Sequence, residues 1–188
     1  MLNLPNKITI LRILLVPFFV TCLVYYNPQA DYLRFVALSI FLLAVITDAL
    51  DGYLARRTNQ KTKLGMIIDP IADKILLLSA FLSLALIKGL PVGVKLPAWV
   101  LIVIISRDSI ILLGSVLIFV SGGNLDIKPN FWGKITTFLQ MLTIISLLLL
   151  LPFSRIIWSL MVVFTAISGL VYITRGSRLL NSSQPVKR

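Results

Sequence analysis

Residues 48–73 read DALDGYLARRTNQKTKLGMIIDPIAD, and this stretch decides the fold because it sets four aspartates between two long apolar segments. Residues 35–47 before it and 75–87 after it are mostly apolar. A charged side chain is costly inside a bilayer, so acidic residues at the ends of apolar segments are functional candidates. The stretch therefore predicts two membrane helices that share an acidic site.

The composition extends this interpretation to the whole chain. Of 188 residues, 58% are hydrophobic, which is more apolar surface than a soluble domain of this length buries in one core. Apolar segments recur between short polar breaks, which favours one membrane domain over residues 1–188 rather than a soluble domain with an anchor. We predict an all-α integral membrane protein, a bundle of six transmembrane helices. The predicted spans are 8–26, 33–56, 65–88, 97–121, 132–151 and 155–175.

The N-terminal segment adds a detail to this prediction. In residues 2–12, Pro5 stands where a helix would begin, and apolar residues and Arg12 follow it. Proline is favoured in the first turn of a helix. We predict a short interfacial segment that leads into the first span.

The positive charge points to a membrane surface rather than to nucleic acid. The net charge is +11, and the basic residues cluster at the ends of apolar segments, where anionic head groups lie. By the predicted spans, twelve of the 18 basic residues fall on the side of the termini and four on the opposite side. The twelve are Lys7, Arg12, Arg56, Arg57, Lys61, Lys63, Lys128, Lys134, Arg175, Arg178, Lys187 and Arg188. The positive-inside rule then predicts a multi-pass protein of the cytoplasmic membrane, with both termini and the acidic site on the cytoplasmic side.

The aspartates are the candidate ligands of a metal site. The chain has no histidine and a single cysteine, so carboxylates are the obvious groups for metal or base chemistry. Asp48 and Asp51 are about 60° apart around a helix, and Asp69 and Asp73 about 40° apart, so each pair shares a face. Because the two helices run in opposite directions, Asp48 should lie at the depth of Asp73, and Asp51 at the depth of Asp69.

Four carboxylates close together in a low dielectric need cations, and hard divalent ions prefer oxygen ligands. We therefore expect one or two Mg²⁺ or Mn²⁺ ions at this site. The alternative is a set of structural ion pairs with Arg56, Arg57 and Lys74.

The residues around the aspartates suit a phosphate-bearing substrate. Gly52 and Ala55 leave a smooth helix surface after Asp48, and Gly65 does the same before Asp69. Arg56 could donate two hydrogen bonds to a diphosphate. Small residues also permit close helix packing, and a basic residue at a helix end also anchors it, so both simpler interpretations stay open.

These residues together resemble a known family. Asp48-x2-Asp51-Gly52-x2-Ala55-Arg56-x8-Gly65-x3-Asp69-x3-Asp73 matches the complete signature of the CDP-alcohol phosphatidyltransferases. The resemblance continues through Asn3 to Asn6 with Thr9 and Arg12, through Ser106-Arg107-Asp108, and through Gly133-Lys134. It covers essentially the whole chain.

The resemblance implies the chemistry. The aspartates are expected to hold two divalent ions, and Asp73 also to deprotonate the acceptor hydroxyl. That hydroxyl attacks the phosphorus bearing the diacylglycerol of CDP-diacylglycerol, and CMP leaves. Gly52, Ala55, Arg56 and Gly65 are expected to bind CDP-diacylglycerol. Family members are typically homodimers of six-helix protomers.

The acceptor is less clearly defined by the sequence. The opening segment resembles both phosphatidylglycerophosphate synthases, which use glycerol 3-phosphate, and the cardiolipin synthases of this family, which use phosphatidylglycerol. Arg107 and Lys134 are the candidate acceptor-binding residues, with Asp108 expected to pair elsewhere. Ser115 and Thr136 stand where a second arginine and a second lysine are usual in bacterial glycerol-phosphate enzymes. We place glycerol 3-phosphate first.

Two other classes of function stay open at this stage. A divalent-cation transporter would also carry intramembrane aspartates, but its path should be polar through the bilayer, whereas 35–45 and 76–86 are nearly all apolar. A non-catalytic scaffold is the third possibility, and it is distinguished by whether Asp73→Asn abolishes turnover or only changes stability.

Overall fold

The computed structural model describes residues 4–57, 65–87, 95–120 and 131–182. Within these ranges the helical backbone of 4–7, 51–57, 65–70, 112–120 and 175–182 is described without its side chains. The described residues form six α-helices and one short 3₁₀ helix, with no strand among them. The helices are α1 (Leu4–Val24), α2 (Tyr32–Arg57), α3 (Gly65–Leu86), α4 (Ala98–Val120), α5 (Phe131–Leu148) and α6 (Ser154–Ser182).

The helices confirm the prediction of an all-α membrane protein. Each predicted span corresponds to one helix, and the segment expected at the interface forms the first turns of α1, which continues unbroken to Val24. Three helices in the described ranges are long and apolar enough to cross a bilayer: Tyr32–Leu50, Phe131–Leu148 and Ser154–Thr174, with a shorter apolar helix at Ile8–Val24. The protein is therefore a multi-pass helical membrane protein.

The helices divide into two compact units. The first comprises Met1–Leu96 and Ile144–Pro152, and the second comprises Pro97–Thr143 and Phe153–Arg188. The prediction of a single domain is not tested by this division and stays a prediction.

In the first unit, α1 packs against both α2 and α3. The buried side chains of Arg12 and Phe19 on α1 contact α2, where Phe41 is buried and Asp48 is partly exposed. The Phe19 and Phe41 rings lie 6.0 Å apart. Phe19 lies seven residues after Arg12, and Phe41 lies seven residues before Asp48. Because α1 and α2 are antiparallel, the same register brings Phe19 to Phe41 and Arg12 to Asp48. The apolar packing of α1 on α2 thereby sets where Arg12 meets Asp48.

The end of α5 in the first unit is closed by a Schellman turn. Leu151 N donates to Ser146 O at 3.0 Å and Leu150 N to Leu147 O at 3.1 Å, the two hydrogen bonds of that motif. Leu150 takes a φ of 53°, where glycine is the usual residue. Arg34 Nη1 donates to Leu148 O at 2.5 Å, so a side chain of α2 also caps α5.

In the second unit, α4 packs against α6. The rings of Trp99 and Trp158 meet edge to face at 5.9 Å, and this contact pairs the start of α4 with the start of α6. Arg107 lies eight residues after Trp99, Ser168 lies ten residues after Trp158, and Arg107 contacts Ser168. Both contacts advance in the same direction along α4 and α6, so the two helices run parallel. The aromatic contact therefore sets the position of a buried arginine, as it does in the first unit.

Candidate active site

The structure brings two of the four predicted metal-binding aspartates together around one arginine. Arg12 Nη1 lies 2.7 Å from Asp48 Oδ1 and 2.6 Å from Asp73 Oδ1. An Nη group carries two N–H donors, so it can give one to each carboxylate. We call these three residues the Arg12 cluster. The expected match in depth between Asp48 on α2 and Asp73 on α3 agrees with this contact.

Burial within the Arg12 cluster is uneven. The Arg12 side chain is 0% exposed, whereas the side chains of Asp48 and Asp73 are 31% and 35% exposed. The guanidinium is therefore the inner member, and the carboxylates are the accessible ones. The open side of the cluster therefore presents carboxylate oxygens, which are the ligands that hard divalent cations prefer.

The remaining residues of the family signature lie on the same two helices. On the backbone, Asp51 follows Asp48 by about one turn of α2, and Asp69 precedes Asp73 by about one turn of α3. The side chains of these signature residues lie outside the described residues: Asp51, Gly52, Ala55, Arg56, Gly65 and Asp69. Their predicted roles stay predictions.

The aspartates form ion pairs with a residue that the sequence does not point to. Asp48 and Asp73 pair with Arg12 of α1, while the side chains of Arg56 and Arg57 lie outside the described residues. The position of Arg12 near the start of the first span predicts a charge that faces lipid head groups. Arg12 is instead buried. Its signal in the sequence is weak, because any basic residue near the start of a first span also fits an anchor.

Arg107, the predicted acceptor-binding arginine, lies in the second unit. It is 7% exposed. Its Nη1 donates to Asp108 Oδ1 at 2.7 Å and its Nη2 to Ser168 Oγ at 2.8 Å. The expectation that Asp108 would pair away from Arg107 is therefore wrong. Side chains of neighbouring helix positions point about 100° apart, but the long arginine side chain folds back to reach its neighbour.

Two glycines lie close to the Arg107 side chain and leave space for it. A Cβ added to Gly133 would lie 3.3 Å from Arg107 Nη2, and one added to Gly169 would lie 3.6 Å from Arg107 Cγ. We call Arg107, Asp108, Gly133 and Ser168 the Arg107 cradle. Ser168 had no role in the sequence interpretation, since a lone serine in an apolar helix carries no distinguishing pattern.

The other acceptor candidates are placed as follows. Lys134 is exposed in the first turn of α5. Thr136 is fully buried, and its Oγ1 lies 2.9 Å from Trp132 O and 3.1 Å from Phe164 O. Thr136 thus joins α5 to α6. The side chain of Ser115 lies outside the described residues.

Comparison with known sequences identifies the class of protein. Residues 2–170 match the CDP-alcohol phosphatidyltransferase family. The chain belongs to this family, which confirms the resemblance drawn from the signature. It is accordingly an enzyme, and the transporter alternative is not supported.

The relatives narrow the class further. A probable phosphatidylglycerophosphate synthase of Mycobacterium tuberculosis (strain H37Rv) is 34% identical over 94% of this chain and 82% of its own length. The CDP-diacylglycerol–glycerol-3-phosphate 3-phosphatidyltransferase of Bacillus subtilis (strain 168) is 32% identical over 97% of this chain and 100% of its own length. The enzyme of the same name from Escherichia coli (strain K12) is 49% identical over 39% of each chain.

Proposed function

We propose that the protein transfers a phosphatidyl group from CDP-diacylglycerol to glycerol 3-phosphate, forming phosphatidylglycerophosphate and CMP. The observation that carries this proposal is the Arg12 cluster, in which two signature aspartates of a CDP-alcohol phosphatidyltransferase converge on one cation. The glycerol 3-phosphate acceptor is the one in the name of the Bacillus subtilis relative, which is matched over its full length.

The residues present fit a divalent-metal site. Two carboxylate oxygens already converge on one positively charged nitrogen, which stands in for a cation at that point. Mg²⁺ is held in proteins by one or two carboxylates together with substrate phosphates. We propose that Asp48, Asp51, Asp69 and Asp73 hold one or two Mg²⁺ or Mn²⁺ ions. Bound metal would supply positive charge to the diphosphate and to the departing CMP.

The protein's own groups then perform the transfer. The acceptor hydroxyl oxygen forms a bond to the phosphorus that bears the diacylglycerol, and the bond from that phosphorus to the bridging oxygen of CMP breaks. A carboxylate oxygen of Asp73 takes the hydroxyl proton, and its partial exposure makes it accessible. Arg56 and the small residues Gly52, Ala55 and Gly65 are proposed to bind the diphosphate of CDP-diacylglycerol.

Arg107 is suited to hold the phosphate of the acceptor. It is buried, and two of its nitrogen atoms are anchored by Asp108 and Ser168. Its Nε has no hydrogen-bond partner among the described residues. A buried donor without a partner is costly, and a phosphate oxygen would satisfy it. We propose Arg107 as the main acceptor contact and exposed Lys134 as a second one.

Phosphatidylglycerol is the competing acceptor, as in a cardiolipin synthase. The observation that favours it is Thr136, which is neutral where the glycerol-phosphate pattern has a second lysine and which is buried against α6. With fewer cations, the protein binds a doubly charged free phosphate less strongly.

The two acceptors are separated by CMP release from the purified protein. The protein in detergent is given CDP-diacylglycerol and Mg²⁺, with glycerol 3-phosphate in one reaction and phosphatidylglycerol in another. We expect CMP with glycerol 3-phosphate only, and none in excess chelator. CMP with phosphatidylglycerol alone would replace the proposed acceptor, and chelator-resistant release would remove the metal. Asp73→Asn should abolish release, with Asp31→Asn, far from the cluster, as the matched control.

We also propose that the termini and the active site face the cytoplasm and that the protein forms a homodimer. The excess of basic residues on the side of the termini supports this orientation. Cys22 is the only cysteine, so Cys22→Ser gives a background for single labels. An impermeant maleimide on intact cells should label Val92→Cys and leave Gln60→Cys unlabelled, and the reverse pattern would overturn the orientation. Cross-linking in membranes tests the dimer.

A further inference from the structure

The Arg12 cluster has a property that the reaction itself does not require. A buried guanidinium bridges two carboxylates that are proposed to bind metal, and its Nη1 atom contacts both of them. Two carboxylates near one another in a low dielectric repel when both are ionised. Arg12 offsets that repulsion with a positive charge that contacts both carboxylates, so Asp48 and Asp73 can lie close together in the protein without metal.

The same geometry places Arg12 in competition with a metal ion. Its Nη1 lies 2.7 and 2.6 Å from the two Oδ1 atoms, so it contacts the same carboxylate oxygens that would hold a divalent ion. An ion held by both oxygens would have to displace these contacts. Wherever the ion settles among the carboxylate oxygens, the nearby guanidinium charge also repels it.

We infer that Arg12 is a positioning residue that acts as a built-in counter-ion. It preforms the Asp48 and Asp73 pair in the metal-free protein and weakens the binding of divalent metal by competing for the same oxygens. The inference rests on the proposed metal site and goes beyond it, since it gives the first helix control over metal affinity. Arg12 is fixed in this position because Phe19 and Phe41 set the register of α1 on α2.

Metal binding to the full-length protein in detergent, without substrate, tests the inference. Free Mn²⁺ is counted by electron paramagnetic resonance during a titration of the wild type and of three variants. Arg12→Gln removes the charge, Arg12→Lys keeps it, and Arg34→Gln is the matched control. Arg34 is another buried arginine paired to an aspartate in the same unit, about 21 Å along α2 from Asp48 at the usual helical rise.

We expect Arg12→Gln to bind Mn²⁺ at least tenfold more tightly than the wild type, and Arg34→Gln to bind it as the wild type does. Arg12→Lys should stay within about threefold of the wild type because the charge is kept. Unchanged or weaker binding by Arg12→Gln would overturn the inference, as would equally tight binding by Arg12→Lys. If the wild type binds no Mn²⁺, the proposed metal site fails, which is a distinct result.

A second measurement uses the wild-type protein and tests the inference even if Arg12→Gln does not fold. In wild-type protein carrying ¹⁵N-arginine, the Arg12 guanidinium signal is assigned by its absence from the spectrum of Arg12→Lys. Addition of Mg²⁺ should shift this signal, because the ion takes carboxylate oxygens from Arg12, and should leave the Arg34 signal in place. An Arg12 signal that does not move when Mg²⁺ saturates the protein would contradict the inference.

Discussion

Removing the hydroxyl of Ser168 should weaken the use of glycerol 3-phosphate. Ser168 Oγ accepts a hydrogen bond from Arg107 Nη2 at 2.8 Å in a buried position. A hydrogen bond to a charged group is worth about 1.5–3 kcal/mol, and about 1.4 kcal/mol is a tenfold change in an equilibrium constant. Because Asp108 still holds the other nitrogen, we expect the lower end, roughly a tenfold fall in kcat/KM for glycerol 3-phosphate with Ser168→Ala.

The assay is steady-state CMP release with each substrate varied in turn. The fall should come from a raised KM for glycerol 3-phosphate, with the KM for CDP-diacylglycerol unchanged, and Ser168→Thr should restore most of it by keeping the hydroxyl. Thr165→Val is the matched control, because among the described residues the Thr165 hydroxyl donates within α6, to Met161 O and Met161 Sδ. It should leave both KM values unchanged.

Gly133→Ala perturbs the same arginine from the other side of the Arg107 cradle. Its new Cβ would lie 3.3 Å from Arg107 Nη2, so the guanidinium must move by a few tenths of an ångström. Since a 1 Å misplacement costs about a hundredfold, a shift of this size should lower kcat/KM roughly fourfold. The reasoning is refuted if Ser168→Ala and Gly133→Ala change both KM values equally, or neither.

Three further outcomes follow from the described contacts. Leu150→Gly should stabilise the protein by about 0.5–1 kcal/mol, because it removes roughly 1–2 kcal/mol of strain from a leucine at positive φ and adds a roughly 0.5–1 kcal/mol entropic cost of glycine. A lower melting temperature in detergent would contradict this. Arg34→Met should lower the melting temperature, because it removes the cap on Leu148 O and leaves Asp31 without its bidentate partner. The hydrogen bonds from Arg34 lower the pKa of Asp31 below its ordinary value of 3.8. The pair should therefore stabilise the protein above about pH 4, and this stabilisation should be lost as the pH falls further. Melting curves of Asp31→Asn should not show this loss.

The helices and the acidic pair could be predicted because one-dimensional patterns determine them. Apolar segments of about 20 residues fix the spans, and equal distance from a shared loop fixes the depth at which Asp48 meets Asp73. The partner of that pair could not be predicted in the same way. Arg12 reaches it only because Phe19 packs against Phe41, and the rotation of one helix on another depends on side-chain packing that no single segment encodes.

In the second unit, too, the partners of a buried arginine could not be predicted from the sequence. Arg107 stood out as a charge in mid-span, but its partners follow from three-dimensional packing. Gly133 and Gly169 allow α5 and α6 to approach it, and Ser168 is supplied by a helix that is distant in sequence. The strained Leu150 was also beyond prediction, since its sequence has no glycine to mark the turn.

The central claim is that glycerol 3-phosphate takes the phosphatidyl group in a metal-dependent reaction. The most direct measurement offers both acceptors at once, in vesicles that contain CDP-diacylglycerol and phosphatidylglycerol, with glycerol 3-phosphate and Mg²⁺ in solution, and identifies the lipid product by mass. We predict phosphatidylglycerophosphate, formed in step with CMP and lost both in chelator and in Asp73→Asn. Cardiolipin as the main product, or phosphatidylglycerophosphate formed by Asp73→Asn at the wild-type rate, would contradict the account.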